Sequence, residues 1–368
     1  MKIDKLQVRE FRNLAKIDYY PGPGLNVFVG DNAQGKTSLL ESIYVLATGT
    51  SFRTATDANL VKYDADGYLI SSIYQSEARI LEAQMQYHLT GSKIMLINNK
   101  KCAYHHPDRL RVVLFTPDDL FLIKGSPAKR RAFLDFILKQ LSAEYAHDLD
   151  NYATILRKRN LLLKKEQNKG KTFDITTDIF IENAARLIIQ RINFVNLLDE
   201  ISRGVYQDIN QGVHELKTRY ALSFAVDSDK INMDVLKTAL LKKVEEKRSE
   251  EINRRKTLVG PHLDDINFYQ DGRLARTFAS QGQQRNMAIS LKLAEIYAFK
   301  RIKDVYPVFL LDEVLAELDE GKRRLLIQHL QEADFQTFLT AVKIDHMDKE
   351  TGPISMVREG VLLRKEFK

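Results

Sequence analysis

The chain has 368 residues, of which 44% are hydrophobic and 29% are charged, and this balance excludes an intrinsically disordered protein. The formal net charge is +7, and residues 101–170 account for six of these charges because they carry 14 basic and 8 acidic side chains. A basic segment of this kind suits a polyanionic partner such as nucleic acid.

Cysteine content and hydropathy indicate the compartment. One cysteine, Cys102, excludes an intramolecular disulfide framework and a cysteine-based zinc finger, and it suits a reducing environment. No apolar run reaches the ~20 residues of a membrane-spanning helix, and the first residues lack the pattern of a signal peptide. We therefore expect a cytoplasmic protein with no membrane partner.

Both ends of the chain have an α/β pattern. Near the N-terminus, the hydrophobic pattern predicts a helix over residues 37–47 and strands over residues 2–8, 25–29, 68–70, 93–97 and 112–115. Near the C-terminus, it predicts a helix over residues 283–302 and strands over residues 265–269, 308–311 and 335–339.

The middle of the chain has helical spacing instead. Ser126-Pro127 is typical of a helix start, and apolar residues three and four apart over residues 134–156 predict one long amphipathic helix. A second apolar stripe covers residues 181–198, and a third, charge-rich helix is predicted over residues 236–256. Two long helices joined by a polar turn indicate a helical hairpin.

The α/β pattern thus opens the chain, stops and resumes. We predict one α/β head domain built from residues 1–117 and 257–368, with a helical arm of residues 118–256 inserted between them. A helix of ~40 residues is ~60 Å long, so the turn of the hairpin is expected to stand well away from the head.

A phosphate-binding loop follows the strand predicted over residues 25–29. It matches the pattern G-x-x-x-x-G-K-[ST] between a strand and a helix, which is the context that this motif needs. Its glycines let backbone N–H groups surround phosphates, and the helix N-terminus adds positive potential. We expect Lys36 to reach the β- and γ-phosphates and Thr37 to bind Mg²⁺. The loop consists of Gly30, Asp31, Asn32, Ala33, Gln34, Gly35, Lys36 and Thr37.

Two acidic residues follow the apolar strand over residues 308–311. We expect Asp312 to hold Mg²⁺, directly or through water, and Glu313 to orient or deprotonate an attacking water. Together with the phosphate-binding loop, the pair predicts a nucleoside triphosphatase in which Glu313 and Lys36 are catalytic.

A second anion site is predicted at the start of the helix over residues 283–302. The segment Ser280-Gln281-Gly282-Gln283-Gln284-Arg285 places a hydroxyl and a glycine at a helix N-terminus, far along the chain from the phosphate-binding loop. We expect Ser280, Gly282 and Gln283 to contact nucleotide.

These motifs together resemble the RecF family of ABC-type ATPases. The resemblance implies an ABC-type ATPase head, ATP and Mg²⁺ as cofactors, and nucleotide contacts from Arg12 and Asn13. It also implies that the helix after Ser280 is a signature helix, which closes on the γ-phosphate held by a second copy. The segments that carry the resemblance, besides the three motifs above, are residues 10–14, 48–54, 114–120, 125–131, 260–265 and 314–319.

The same resemblance implies partners and roles. ATP binding would join two copies into a homodimer that clamps DNA, either duplex or a junction of single strand and duplex, and slow hydrolysis would release it. A RecR-type recombination mediator is the implied protein partner. The implied roles are recombinational repair, replication-fork recovery and the SOS response.

One residue departs from the pattern of many ABC-type ATPases. They carry a switch histidine just after the strand that follows the D-loop, which residues 314–319 resemble here. In this sequence that strand ends at Leu339-Thr340-Ala341, and the nearest histidine is His346. A threonine can sense a γ-phosphate through a hydrogen bond but cannot move protons as an imidazole does, so we expect slow hydrolysis.

The predicted arm carries the candidate DNA contacts. Lysine and arginine near the turn of the hairpin suit sequence-independent contact with phosphates, and two arginines near the base of the arm form a second candidate patch. The candidates are Arg157, Lys158, Arg159, Lys164 and Lys165 near the turn and Arg130 and Arg131 near the base.

Other functions fit parts of the pattern. The ATPase subunit of a transporter or of another SMC-like system shares the ATPase motifs, but a transporter subunit lacks a basic helical hairpin. A P-loop kinase does not need the signature helix. A Rad50-like head has longer coiled coils and works with a nuclease, and no nuclease motif occurs here. Dependence of turnover on duplex DNA or on a membrane partner separates these alternatives.

Overall fold

The computed structural model describes residues 1–103, 106–167, 170–210, 212–226, 228, 230–342 and 352–364. Contacts between residues divide the chain into two units. Unit 1 comprises Met1–Leu120 and Glu295–Lys368, and unit 2 comprises Phe121–Ala294. Within the described ranges, no helix is both long enough and apolar enough to cross a membrane.

Unit 1 contains two six-stranded sheets. The strands of the first are β1 (Lys2–Phe11), β2 (Leu14–Tyr19), β4 (Gly67–Ser76), β5 (Arg79–His88), β6 (Lys93–Ile97) and β7 (Lys100–Lys101). They are antiparallel in the order β2-β1-β4-β5-β6-β7. The strands of the second are β3 (Leu25–Val29), β8 (Val112–Phe115), β12 (Val308–Asp312), β13 (Thr337–Ala341), β14 (Ile354–Arg358) and β15 (Val361–Arg364). Their order is β15-β14-β3-β13-β12-β8, and all but β15 are parallel.

Helix α1 (Lys36–Thr48) is the central helix of unit 1. It contacts strands of both sheets, which explains why its apolar residues surround the helix instead of lining one face. Its N-terminus follows directly on the loop after β3, so the doubly covered helix holds that loop in place. A second helix of the unit, here called α8, spans Glu320–Glu332.

Unit 2 is mostly helical but includes a small sheet. Its helices are α2 (Pro127–Leu141), α3 (Ala143–Lys164), α4 (Lys171–Ile209), α5 (Met233–Arg254) and α6 (Ala275–Phe278). Its strands are β9 (Leu216–Ala221), β10 (Asp265–Gln270) and β11 (Arg273–Leu274), antiparallel in the order β11-β10-β9. Helix α7 (Gln281–Lys303) begins in unit 2 and ends in unit 1.

Two features of unit 2 differ from the sequence interpretation. The single helix predicted over residues 134–156 is divided by Ser142, whose side chain caps α3 by accepting a hydrogen bond from the Tyr145 backbone N–H. Residues 257–294, assigned to the head from sequence, fall within unit 2 because β10 pairs with β9 over six positions and α2 contacts β10.

Arg159 is the most deeply buried cation of α3. Its guanidinium is 2.6 Å from Glu251 of α5, donates to the hydroxyls of Thr257 and Thr177, and lies over the ring of Phe173. Both members of the Arg159–Glu251 ion pair are almost fully buried. Removing one member of such a pair leaves the other charge buried without compensation.

We therefore expect Arg159→Ala to destabilise unit 2 by about 3–5 kcal/mol. Arg157→Ala is the matched control, since Arg157 lies on the exposed face of the same helix and its loss should change stability by at most about 0.5 kcal/mol. Urea denaturation followed by far-UV circular dichroism measures both variants. Equal midpoints for the two would contradict the structural role of Arg159.

Candidate functional site

The phosphate-binding loop has the backbone that its sequence predicts. Gly35 caps α1 with φ of +110°, and a Cβ at this position would approach the Asn13 amide and the Leu14 side chain at 3.0 Å. Both the left-handed φ and the close neighbours require glycine. Asn13 Nδ2 also donates to the Ala33 carbonyl at 3.4 Å, so Asn13 lies against the loop.

Lys36 is buried within the loop. Its ammonium donates to the carbonyl oxygens of Gly30 and Asp31 at 2.8 and 2.9 Å and lies 3.2 Å from Glu313 Oε1. The Lys36 side chain is 2% exposed, whereas that of Glu313 is 38% exposed. The predicted catalytic lysine and catalytic carboxylate therefore form an ion pair at the mouth of the site.

Asp312 is the centre of a hydrogen-bond network. Its Oδ1 accepts hydrogen bonds of 2.9 Å from the hydroxyls of both Thr37 and Thr340. The Thr340 hydroxyl in turn accepts a 2.9 Å hydrogen bond from the Glu313 backbone N–H. The register of the parallel pair β12–β13 places Asp312 beside Thr340. Burial raises the pKa of the Asp312 carboxyl, and the hydrogen bonds from the two threonines oppose that shift.

Thr340 thus lies on the strand after which many ABC-type ATPases carry their switch histidine. It connects the predicted Mg²⁺ ligand to the backbone of the predicted catalytic carboxylate. Glu313 itself has φ of +55°, a left-handed conformation that is unusual for a side chain larger than glycine. His346, the nearest histidine after this strand, lies outside the described residues.

A buried carboxylate beside the site was not found from sequence. Glu41 of α1 is fully buried, and its two oxygens accept hydrogen bonds of 3.0 and 2.9 Å from the Arg12 guanidinium. Arg53 also pairs with Glu41, at 3.5 Å, and the Ser51 hydroxyl donates to the same carboxylate. Glu41 is one turn beyond Thr37. A lone carboxylate within a mostly apolar helix is the sequence feature that could have indicated a buried ion-pair partner beside the site.

A cavity of about 530 Å³ lies beside the phosphate-binding loop. Arg12, Lys36 and Arg53 contribute cationic groups to its walls, and Asn13, Thr37 and Glu313 contribute polar ones. A cavity of this charge fits a polyphosphate. Asp312 is not among the lining residues but reaches the cavity through its hydrogen bond to Thr37.

The remaining loop residues have different roles. Asp31, Asn32 and Ala33 are exposed at the tip of the loop. Gln34 instead anchors the loop, since its side-chain oxygen and its carbonyl accept hydrogen bonds from the backbone N–H groups of Glu359 and Gly360. These two residues form the turn between β14 and β15, so a hairpin from the far end of the sequence supports the phosphate-binding loop.

The predicted signature segment lies in unit 2 and caps α7. The Ser280 hydroxyl accepts from the Gln283 N–H at 3.2 Å, and the Gln283 side chain accepts from the Ser280 N–H at 2.8 Å. This reciprocal arrangement is a capping box, and it leaves Ser280 exposed. Gly282 lies in the first turn between them.

Comparison with known proteins gives the family. A model of the RecF/RecN/SMC N-terminal domain matches residues 2–361. The DNA replication and repair protein RecF of Halalkalibacterium halodurans is 37% identical over 372 residues, 99% of this chain and 100% of that protein. That of Bacillus cereus strain B4264 is 37% identical over 358 residues, 95% of this chain and 94% of that protein. The chain belongs to the RecF family.

Solved structures give the fold. The structure of the recombination mediator protein RecF-ATPrS in the RecFOR pathway has a TM-score of 0.89 and 28% identity, covering 98% of this chain and 97% of that one. An Smc head bound to the C-winged helix domain of ScpA has a TM-score of 0.56 at 15% identity and shows the fold alone. The predicted ABC-type head with an inserted helical arm is confirmed. This RecF-family chain is an ABC-type ATPase of DNA replication and repair.

Two of the predicted DNA contacts are wrong. Arg130 is 1% exposed and holds Asp265 through two hydrogen bonds of 2.7 and 2.8 Å. Arg159 is fully buried against Glu251. Buried guanidinium groups that pair with carboxylates in this way cannot reach a phosphate at the surface.

The other predicted contacts remain at the surface. Arg131 is half-buried and donates to the Asp264 carbonyl at 2.7 Å. Arg157, Lys158, Lys164 and Lys165 of α3 and the segment after it are exposed. They stay candidates for DNA contact.

The position of Thr340 gives a testable prediction. Thr340→Val keeps the shape of the side chain but removes its hydrogen bonds to Asp312 and to the Glu313 N–H, and we expect about a 10- to 100-fold lower kcat for ATP. Thr340→Ser keeps the hydroxyl and should stay within about threefold of the wild type. Steady-state phosphate release at saturating ATP and Mg²⁺ measures both. Equal rates for the two variants would remove Thr340 from the mechanism.

Proposed function

We propose that this chain is an ATP-operated DNA clamp of recombinational repair and replication-fork recovery. ATP binding joins two copies around DNA, and slow hydrolysis releases it. The observation that carries the proposal is the Asp312 network, which brings Thr37, Thr340 and the Glu313 backbone together beside the phosphate-binding loop. The remaining loop residues, with Arg12 and Asn13, complete the proposed ATP site.

The residues present fit Mg²⁺. The Thr37 hydroxyl and the Asp312 carboxylate offer two oxygen ligands 2.9 Å apart, and Mg²⁺ commonly combines one or two protein oxygens with phosphate oxygens. Mg²⁺ held by Thr37 and Asp312 would neutralise charge on the β- and γ-phosphates.

The Lys36–Glu313 ion pair suggests how binding prepares hydrolysis. When the Lys36 ammonium turns to the β- and γ-phosphates, Glu313 loses its partner and its half-exposed carboxylate becomes available to orient water. The hydrogen bond between the Glu313 N–H and Thr340 then fixes its backbone. Because Thr340 carries no imidazole, proton movement is limited and turnover is slow.

The second half of the site comes from a second copy. An exposed hydroxyl on a helix N-terminus is suited to a phosphate, and the capping box of Ser280 and Gln283 holds this one in a single geometry. Ser280, Gly282 and Gln283 of one copy therefore close on the γ-phosphate held by the other, which makes the homodimer depend on ATP.

The partners follow from the family and the surface charge. The relatives are DNA replication and repair proteins, and the similar solved structure is of a recombination mediator in the RecFOR pathway. We propose that this chain binds duplex DNA or a junction of single strand and duplex, and that a RecR-type mediator is its protein partner.

Replacing the proposed catalytic carboxylate separates binding from turnover. Glu313→Gln keeps Lys36, Thr37 and Asp312, so ATP should still bind while hydrolysis falls by at least about 100-fold. Light scattering with ATP and Mg²⁺ should show a dimer that outlasts the wild-type one. Unaltered hydrolysis would exclude Glu313 from catalysis.

A pair of complementary variants tests the shared site. Ser280→Arg should bind ATP through its own Lys36 but remain monomeric, because a bulky cation replaces the small hydroxyl. Lys36→Met should bind no ATP and also remain monomeric. A mixture can assemble one intact site, with the loop from the first and the signature from the second, and should recover weak ATP-dependent pairing.

Light scattering with ATP and Mg²⁺ measures whether each variant and the mixture form dimers. Tight ATP-dependent dimers of Ser280→Arg alone would refute the shared site and favour the kinase-like alternative. Turnover that responds to a membrane partner and not to duplex DNA would favour a transporter subunit.

A further inference from the structure

The ends of α3 and α5 form a cationic cavity in unit 2. It has a volume of about 530 Å³ and is lined by Asn160, Lys164, Arg254, Arg255 and Lys256. Four of these five residues carry a positive charge. Three of them, Arg254–Lys256, were not among the DNA contacts predicted from the sequence.

Buried hydrogen bonds hold the two sides of this cavity together. The Arg159–Glu251 ion pair joins α3 to α5, and Arg159 also donates to the Thr257 hydroxyl at 2.8 Å. The Thr257 N–H donates to Asn160 Oδ1 at 2.7 Å. These contacts hold the segment that carries Arg254–Lys256 against α3. Its backbone is therefore already ordered for binding, and its cations line one concave space.

The backbone at Arg255 is shaped for this arrangement. Arg255 ends α5 with φ of +53°, a left-handed conformation in which glycine or asparagine is usual. An arginine there is less favourable than a glycine, because its Cβ crowds the following carbonyl oxygen. Its backbone N–H closes the helix by donating to the Ile252 carbonyl.

The arginines of the cavity can exchange their present carboxylate partners for a ligand. Arg255 pairs with Glu166 at 2.8 Å and Arg254 with Glu250 at 2.9 Å, but both arginines and Glu166 are exposed and Glu250 is partly exposed. Ion pairs exposed to this degree contribute little to stability, so a phosphate can replace the carboxylate readily. In the part of the chain that the structure describes, Lys164 and Lys256 have no ion-pair partner within 4.0 Å.

Exposed cations continue from the cavity along α3. Arg157 is seven residues before Lys164 and therefore lies on the same face of the helix, about 10 Å away. A row of cations that begins in a concave site and follows a helix suits a phosphodiester backbone better than a single free phosphate.

We propose that the cavity formed by Lys164, Arg254, Arg255 and Lys256 binds backbone phosphates of DNA. This proposal rests on the function proposed above and names the surface of unit 2 that holds the DNA. The contact is independent of sequence, because only phosphates are touched.

The test removes the charges that were not predicted from sequence. The triple variant Arg254→Gln, Arg255→Gln, Lys256→Gln should weaken binding to a duplex equally for different sequences. The slope of log affinity against log salt should fall by ~0.9 for each lost contact, which is ~2.7 when all three bind phosphates. Lys237→Gln, Lys242→Gln, Lys243→Gln is the matched control, with the same change in charge at least about 16 Å earlier on α5.

Two further measurements are needed. One distinguishes a role of the charges from a structural role, and the other distinguishes DNA from a free polyphosphate as the ligand. Arg254→Lys, Arg255→Lys keeps the charge and should keep the slope, whereas a purely structural role would lower it as the glutamines do. Loss of inorganic triphosphate binding with unchanged DNA affinity would assign the cavity to a free polyphosphate and overturn the proposal.

The outcomes also distinguish this proposal from the proposed function. Wild-type affinity and slope in the glutamine variant, with ATP turnover and DNA binding intact, would overturn the cavity as a DNA site and leave the proposed function standing. If the wild-type protein binds no DNA with or without ATP, the proposed function fails, and this inference fails with it.

Discussion

The Asp312 carboxylate, with one hydrogen bond from Thr37 and one from Thr340, is the interaction on which the site depends. Thr37 lies in the first turn of α1, whereas Thr340 lies on β13 near the other end of the chain. Parallel pairing of β3, β13 and β12 brings them together, so the sheet that contains these strands assembles this contact. A shift of one residue in β12–β13 would turn Asp312 away from Thr340 and direct a buried apolar side chain into the cavity.

Much of this site follows from sequence because its parts are local. A strand, a glycine-rich loop and a helix form a contiguous motif, and the structure places β3 at Leu25–Val29 and α1 at Lys36–Thr48, within one residue of the predicted positions. Asp312 ends a strand whose other four residues are apolar, and Glu313 follows it directly. Glu41 escaped prediction because its role depends on Arg12 and Arg53, which reach it only in three dimensions.

The arm shows why charge is harder to interpret than apolar spacing. Arg157, Lys158 and Arg159 are adjacent in sequence, yet the first two are exposed and the third is fully buried. A helix turns 100° per residue, so neighbouring cations face different surroundings. From the sequence all three are interpreted as surface charges. Only the positions of Glu251 and Thr257 in the fold show that Arg159 is the buried one. Arg130 was misassigned for the same reason, because Asp265 is 135 residues away.

The placement of β3 between β13 and β14 has a consequence for how the protein is made. Neither neighbour of β3 in its sheet leaves the ribosome until about 300 residues after β3 itself, and the hairpin turn that supports Gln34 comes later still. At roughly 5–20 residues per second, the strand waits on the order of 15–60 s with unpaired edges on both sides. An apolar segment exposed for that time is prone to aggregation and is a natural client for a chaperone during synthesis.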